Sequence, residues 1–268
     1  MKALRLSEIW IYPIKSLGGI PLETGKVLGK GLLHDRRWML ITHDGEFMTQ
    51  REHPQMALLQ PYINDVVMTV NQKDNPATKI KFQIDAPPSG KKIETKIWND
   101  TVQVIEVDTK LSAWFSDQLS VSCKLVVFPE GHARPVDPNY KVNDEHVSLA
   151  DAFPFLIIGQ SSLNDLNTRL DQPVPMNRFR PNFVFTGGDP FEEDGWKNFS
   201  IGGVNFVGVK LCARCPIPTI NQDTGVRGAE PLLTLSKFRK TDNKVLFGQN
   251  LVATNQGEVK VGDLITLR

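Results

Sequence analysis

The sequence has little of what usually announces a class. Three cysteines in 268 residues, Cys123, Cys212 and Cys215, are too few and odd in number for a secreted disulfide framework. They read as reduced thiols of a cytoplasmic protein. No run of about 18 apolar residues occurs, so no segment is a candidate membrane-spanning helix. Glu8 interrupts the apolar stretch of Met1–Leu17, which therefore lacks the core of a secretory signal. Charge of one sign is also lacking. Lysine and arginine total 31 against 30 acidic residues, a net charge of +1, which does not suit a protein that coats nucleic acid. There is no glycine-rich phosphate loop. Gly187-Gly188 follows an apolar run, but Asp189-Pro190 makes a turn where such a loop needs a helix start. An anion bound by this chain must be held by side chains.

What is present is an ordinary globular mix, 40% hydrophobic and 23% charged, long enough for one large or two modest domains. Short segments rich in β-branched residues read as strands: Leu4–Ile14, Trp38–Thr42, Val66–Val70, Ile80–Ile84, Val102–Val107 and Cys123–Phe128, then Phe183–Thr186, Val204–Cys212, Val245–Thr254 and Val259–Leu267. Asp44-Gly45 and Gly202-Gly203 sit where hairpin turns are needed. Helical patterns are few. Leu111–Leu119 and Pro231–Arg239 are candidates. In Ser161–Leu170, Ser162 and Asp165 resemble a capping box, with Leu163, Leu166 and Leu170 on one face. The expected fold is mainly β with a few helices, barrel-like. The polar loop Pro129–Asn143 reads as a boundary between halves or a mobile flap.

The sharpest local feature is Cys212-Ala213-Arg214-Cys215 followed by Pro216. Structural zinc needs four ligands, and the pair supplies two with no matching partners elsewhere. A thioredoxin-like pair opens a helix, whereas Pro216 and Pro218 disfavour one here. A third reading is one exposed thiolate, favoured by the adjacent Arg214, acting as nucleophile or as ligand to a soft metal. Two small buried hydrophobes is the fourth. Around the predicted strand ends lie Lys15-Ser16, His34-Asp35-Arg36-Arg37, Thr49-Gln50-Arg51 and Arg178-Phe179-Arg180-Pro181-Asn182. Arginine forks and lysine suit phosphate and carboxylate oxygens. Each cluster by itself reads more readily as a solvated rim or surface ion pair.

Together these pieces resemble the MOSC family, in the branch containing bacterial YcbX-like proteins and the mitochondrial amidoxime-reducing components. The resemblance spans the chain. Tyr12-Pro13-Ile14-Lys15-Ser16, His34-Asp35-Arg36-Arg37-Trp38 and Thr49-Gln50-Arg51 carry it in the first half. Phe179-Arg180-Pro181-Asn182, Cys212-Ala213-Arg214-Cys215 with Asp223-Thr224-Gly225, Phe247-Gly248-Gln249-Asn250 and Val259-Lys260-Val261-Gly262-Asp263 carry it in the second.

The resemblance implies an N-terminal β-barrel domain over residues 1–120 packed on a MOSC β-barrel domain over 121–268. It implies a molybdenum cofactor, Mo-molybdopterin, whose dithiolene holds the metal and whose pterin carries a phosphate. Cys215 would be the metal ligand and catalytic thiol. Lys15, Ser16, Arg36 and Arg180 would hold phosphate and pterin, with Arg51, Asn182 and the Asp151–Phe153 region as further candidates. Cys212 would be structural or accessory. The implied reaction is reduction of N-hydroxylated small molecules. Many YcbX-like chains continue into a plant-type iron–sulfur domain. This sequence ends at Arg268 without those cysteines, so a separate donor is expected, ferredoxin- or cytochrome-type with its reductase, and neither nucleic acid nor membrane as partner. His34 and His132 are candidate proton donors. The rival functions are sulfur transfer or cofactor carriage through a Cys215 persulfide, and a binding module with a degenerate site.

Overall fold

The computed structural model describes residues 3–132 and 134–268. The fold is mainly β, with three short helices: α1 (Thr109–Leu119), α2 (Gln160–Asn167) and α3 (Leu232–Phe238). The largest sheet has nine strands. Along it lie Ile265–Leu267, Asn198–Ile201, Val204–Ala213, Lys244–Ala253, Phe155–Gly159, Phe183–Thr186, Arg5–Ile11 and Ile20–Leu22, with Lys240–Thr241 beside Lys244–Ala253. Its one parallel pair, Phe155–Gly159 with Phe183–Thr186, is joined through α2, as a parallel crossover requires. A four-stranded sheet orders Trp38–Thr42, Cys123–Val127, Asp100–Glu106 and Lys92–Ile97. Two three-stranded sheets complete the fold.

Hydrogen bonding crosses the 120/121 division in both directions. Arg5–Ile11 pairs with Phe183–Thr186, and Thr24–Leu28 pairs with Gly257–Lys260. Cys123–Val127 pairs with Trp38–Thr42. The start of the chain is thus laid against second-half strands, and this is what later brings Lys15 and Arg180 together.

Burial explains two strands that the sequence pattern left unmarked. Phe155–Gly159 is buried on both faces, so it shows no alternation. Lys92–Ile97 alternates with Thr95 and Ile97 inward, but its outward lysines and glutamate mask the pattern. The core under the large sheet is aromatic: Phe155, Phe183 and Phe206 meet with ring centroids 5.5 to 5.6 Å apart. Each fully buried phenylalanine contributes about 1.5–3 kcal/mol. A second core packs Leu111, Phe115 and Leu119 of α1 against Trp38, Met56 and Met68. Asp108 starts α1 by accepting from the N–H groups of Lys110 and Leu111.

Two expectations need correction. Val259–Leu267 is two strands, Gly257–Lys260 and Ile265–Leu267. Gly262 turns between them at φ 95°, and Asp263 accepts from the Lys260 N–H at 2.8 Å. The capping box at Ser162 is absent. α2 begins at Gln160, and Ser162 lies inside it, donating its hydroxyl to Glu193 at 2.8 Å while accepting from the Phe191 N–H. The cap comes from elsewhere in the chain: the buried Glu193 carboxylate accepts from the Gly159 N–H at 3.0 Å. No helix among the described residues is long and apolar enough to cross a membrane.

Burial raises the Glu193 carboxyl above its ordinary range, yet its two donors keep it in place. Glu193→Ala would strand both of them, at a cost of about 2–3 kcal/mol in the free energy of unfolding. Urea denaturation measures this; a loss below about 0.5 kcal/mol would mean that the carboxylate does not hold α2.

Candidate functional site

A cavity of about 380 Å³ lies where the two halves meet. Every residue singled out as a metal or cofactor ligand lines it: Lys15, Ser16, Arg36, Arg51, Arg180, Asn182 and Cys215. Asp151, Ala152, Phe153 and Cys212 line it as well. His34 and His132 do not. His34 is packed against Trp38, where burial and Arg37 lower its pKa, and the His132 ring meets the Gln103 carbonyl at 3.3 Å. The two histidines are therefore not the proton donors of this site.

The cationic wall is organised by Asp35, which is buried. One of its oxygens accepts from the Tyr12 N–H at 2.7 Å. The other accepts from Arg36 at 2.6 Å and from the Asn182 amide at 3.1 Å. Asn182 uses its whole amide in this network, also donating to the Trp10 carbonyl and accepting from Arg36 and the Leu156 N–H. It holds Arg36 in place. Two guanidinium groups lie over the Tyr12 ring, Arg36 at 4.4 Å and Arg180 at 4.2 Å from its centre, so one aromatic ring stabilises two like charges. Burial raises the Tyr12 phenol, which donates to the Pro181 carbonyl.

Arg180 differs from its neighbours. It is 9% exposed, yet its guanidinium has neither a salt bridge nor a side-chain hydrogen bond among the described residues. Burial, with Arg36 nearby, pulls its pKa down to about 10. A buried, unpaired cation facing a cavity is costly and calls for an anion.

Lys15 is compensated. Its ammonium contacts Asp151 and donates to the Leu149 carbonyl at 2.9 Å. Burial lowers the lysine pKa, and Asp151 offsets part of this. Burial alone would raise the Asp151 carboxyl, but Lys15 holds it well below the usual carboxylate range. Among the described residues, Asp151 is the one carboxylate lining the cavity. Arg134, which the sequence did not mark, sets its backbone by donating to the carbonyls of Ser148, Ala150 and Asp151. On the other side, Gln50 donates to the Ser16 carbonyl at 2.7 Å and exchanges hydrogen bonds with Gln222.

The thiol wall ends the strand Val204–Ala213, whose pairing with Lys244–Ala253 shifts register between Leu211 and Ala213. Arg214 turns its guanidinium to the Cys212 sulfur at 3.1 Å and the Phe179 carbonyl at 2.7 Å. Its hydrogen-bonding partner is thus the first thiol, where its place beside Cys215 in the sequence suggested the second. Pro216 and a single turn at Ile217–Thr219 follow Cys215, with no α-helix. Cys123 lies elsewhere, near Ser116 Oγ, and burial raises its thiol.

Backbone strain marks the same region. Ser16 (φ 69°), Arg36 (φ 48°), Trp98 (φ 57°) and Arg180 (φ 55°) are non-glycine residues in the left-handed region, and all four line the cavity. Such conformations cost about 1–3 kcal/mol each and gather where geometry matters.

Asp151→Asn would leave Lys15 buried without its counter-charge. Because the folded-state pKa of Asp151 is depressed, its contribution is present above about pH 4 and fades as the pH falls further. Asp151 is half-exposed, so after solvent screening the loss at pH 7 is about 1 kcal/mol, or roughly 2–4 °C in Tm. A Tm difference between wild type and variant that is unchanged from pH 7 to pH 3 would contradict this coupling.

Comparison with known proteins matches two family models along the chain. Residues 3–122 match the model of the MOSC N-terminal beta barrel domain, and residues 144–266 match that of the MOSC domain. Mitochondrial amidoxime-reducing component 1 of Homo sapiens is 31% identical over 283 residues, covering 98% of this chain and 82% of its own. Mitochondrial amidoxime reducing component 2 of Bos taurus is 32% identical, covering 96% and 81%. Molybdenum cofactor sulfurase of Solanum lycopersicum is 31% identical over 91% of this chain, which spans 32% of that longer protein. Among solved structures, the YuaD protein of Bacillus subtilis covers 99% of this chain and 94% of its own at 10% identity, with a TM-score of 0.43. The chain belongs to the MOSC family, carrying both the N-terminal barrel domain and the MOSC domain.

Proposed function

We propose that this protein is a molybdenum-cofactor enzyme that reduces N-hydroxylated small molecules such as amidoximes and hydroxylamino bases. The observation that carries the reading is that a pair of thiols and an unpaired, buried guanidinium line one cavity. A group that joins a soft metal to an anionic tail needs both. A dithiolene already gives the metal two sulfurs, so one thiolate from the protein suffices, and a donor set too small for zinc fits. The names of the animal relatives support the reaction, and those of the plant relatives support the cofactor.

Cys215 would hold the metal. Lys15, Ser16, Arg36 and Arg180 would hold phosphate and pterin, with Arg51 lining the same cavity and Asn182 keeping Arg36 in place. When bound, the cofactor supplies the two-electron change that removes the hydroxyl oxygen. This chain's residues provide the setting. Arg180 is desolvated, so its attraction for an anion is stronger than it would be in water. Tyr12 and Asp35 hold the two arginines in fixed positions, so little rearrangement is required on binding. Asp151 offsets part of the burial that lowers the Lys15 pKa. Reduction of an amidoxime takes up two electrons and two protons and releases water. The electrons come from a separate donor protein, ferredoxin- or cytochrome-type with its reductase. Three free cysteines suit a reducing, cytoplasmic setting.

Reduction of benzamidoxime by the molybdenum-loaded protein with a chemical electron donor tests the reading. Cys215→Ala loses on the order of 100-fold or more in rate. Cys212→Ala, which leaves the ligand in place, loses about 10-fold. The reverse order would assign the ligand to Cys212. Loaded wild-type protein that turns over no amidoxime would favour sulfur transfer or cofactor carriage instead.

A further inference from the structure

Trp98 lines the cavity but has no part in the roles above. It occupies the two-residue turn Trp98-Asn99 between Ile97 and Asp100, which pair as the strands Lys92–Ile97 and Asp100–Glu106 meet. Its backbone is left-handed, at φ 57°. A hairpin turn of this length calls for positive φ and normally takes glycine, asparagine or aspartate there. The turn therefore accounts for the backbone but not for the tryptophan, a bulky side chain that is unfavourable in this conformation.

The indole is 51% exposed and nonetheless fixed. The Arg51 guanidinium lies over the ring, 4.5 Å from its centre. Phe47 packs edge-on at 5.5 Å and 67°. Trp98 is also the least of the groups that hold the Asp151 carboxyl down. The result is a rigid aromatic face in the lining of a cavity whose other lining groups include Phe153, Lys210 and the cationic cluster. The one lining carboxylate is already paired with Lys15. A flat, conjugated, uncharged molecule finds stacking surface there. A compact aliphatic one does not, and a cation meets like charge.

We propose that Trp98 is the substrate-positioning residue of this cavity, the face on which the conjugated part of an uncharged N-hydroxylated substrate lies. This rests on the reductase reading. Trp98→Asn removes the ring and suits the left-handed turn; Trp98→Phe keeps a ring and removes the indole N–H.

The test is the ratio of kcat/KM for benzamidoxime to that for acetamidoxime, measured on molybdenum-loaded protein with a chemical donor. In Trp98→Asn the ratio falls about five- to tenfold, through KM for benzamidoxime. In Trp98→Phe it stays within about twofold of wild type. An equal loss for both substrates overturns the proposal. So does an equal fall in both variants, which would make the link to Asp151 the operative one. A change seen only with a protein donor overturns it in favour of a donor-docking role. If wild type reduces neither compound, the reductase reading fails, and calorimetric binding of the same two compounds decides the role of Trp98. Tighter binding of benzamidoxime that is lost in Trp98→Asn supports it; equal binding of both by wild type overturns it.

Discussion

The site depends on one buried carboxylate. Asp35 accepts from the Tyr12 backbone, the Arg36 guanidinium and the Asn182 amide, three groups far apart in sequence. Tyr12 closes the first strand of the chain, and Asn182 precedes a strand of the second half. A buried carboxylate is tolerated only when its oxygens are satisfied, so the halves must meet at one register for Asp35 to be stable. The strand pairing Arg5–Ile11 with Phe183–Thr186 supplies that register. Fixing Asp35 fixes Arg36, and fixing Tyr12 fixes the aromatic face against which Arg180 lies.

The electrostatics follow from this geometry. Positive charge is concentrated at the cavity, and two of the lining cations are locally answered: Arg36 by Asp35, and Lys15 by Asp151. Among the lining cations without a carboxylate partner, Arg180 is the buried one, and Trp98 adds an aromatic surface to the same lining. An unpaired buried guanidinium and strained non-glycine backbone at Ser16, Arg36, Trp98 and Arg180 are expensive features with no benefit to stability. Ligand binding gives them a physical reason. Arg134 shows the same economy of support: three of its bonds go to backbone carbonyls, and their effect is to present Asp151 to Lys15.

Much of this was legible in the sequence, for reasons that can be stated. The strands with clear alternation or turn punctuation, such as Trp38–Thr42 and Phe183–Thr186, stand where periodicity puts them. Lys15, Arg36, Arg180 and Cys215 were singled out by the resemblance to the MOSC family, since charge and thiol at strand ends left other readings open. Asp35, Arg134 and Trp98 were not marked as site residues. Their importance comes from contacts 14 to 147 residues away, or from a backbone angle, and neither leaves a local signature. The capping of α2 failed as a local motif because Glu193, a distant residue, took the part that Ser162 was expected to play. Arg214 likewise chose between two thiols by the direction of its turn, which residue order does not encode.

The central claim is that this cavity holds a molybdenum cofactor. The most direct measurement is molybdenum and pterin content of the wild-type protein purified from a host competent in cofactor synthesis. The account predicts close to one molybdenum and one pterin per chain. Protein free of both, while a known molybdoenzyme purified from the same host is fully loaded, would contradict it.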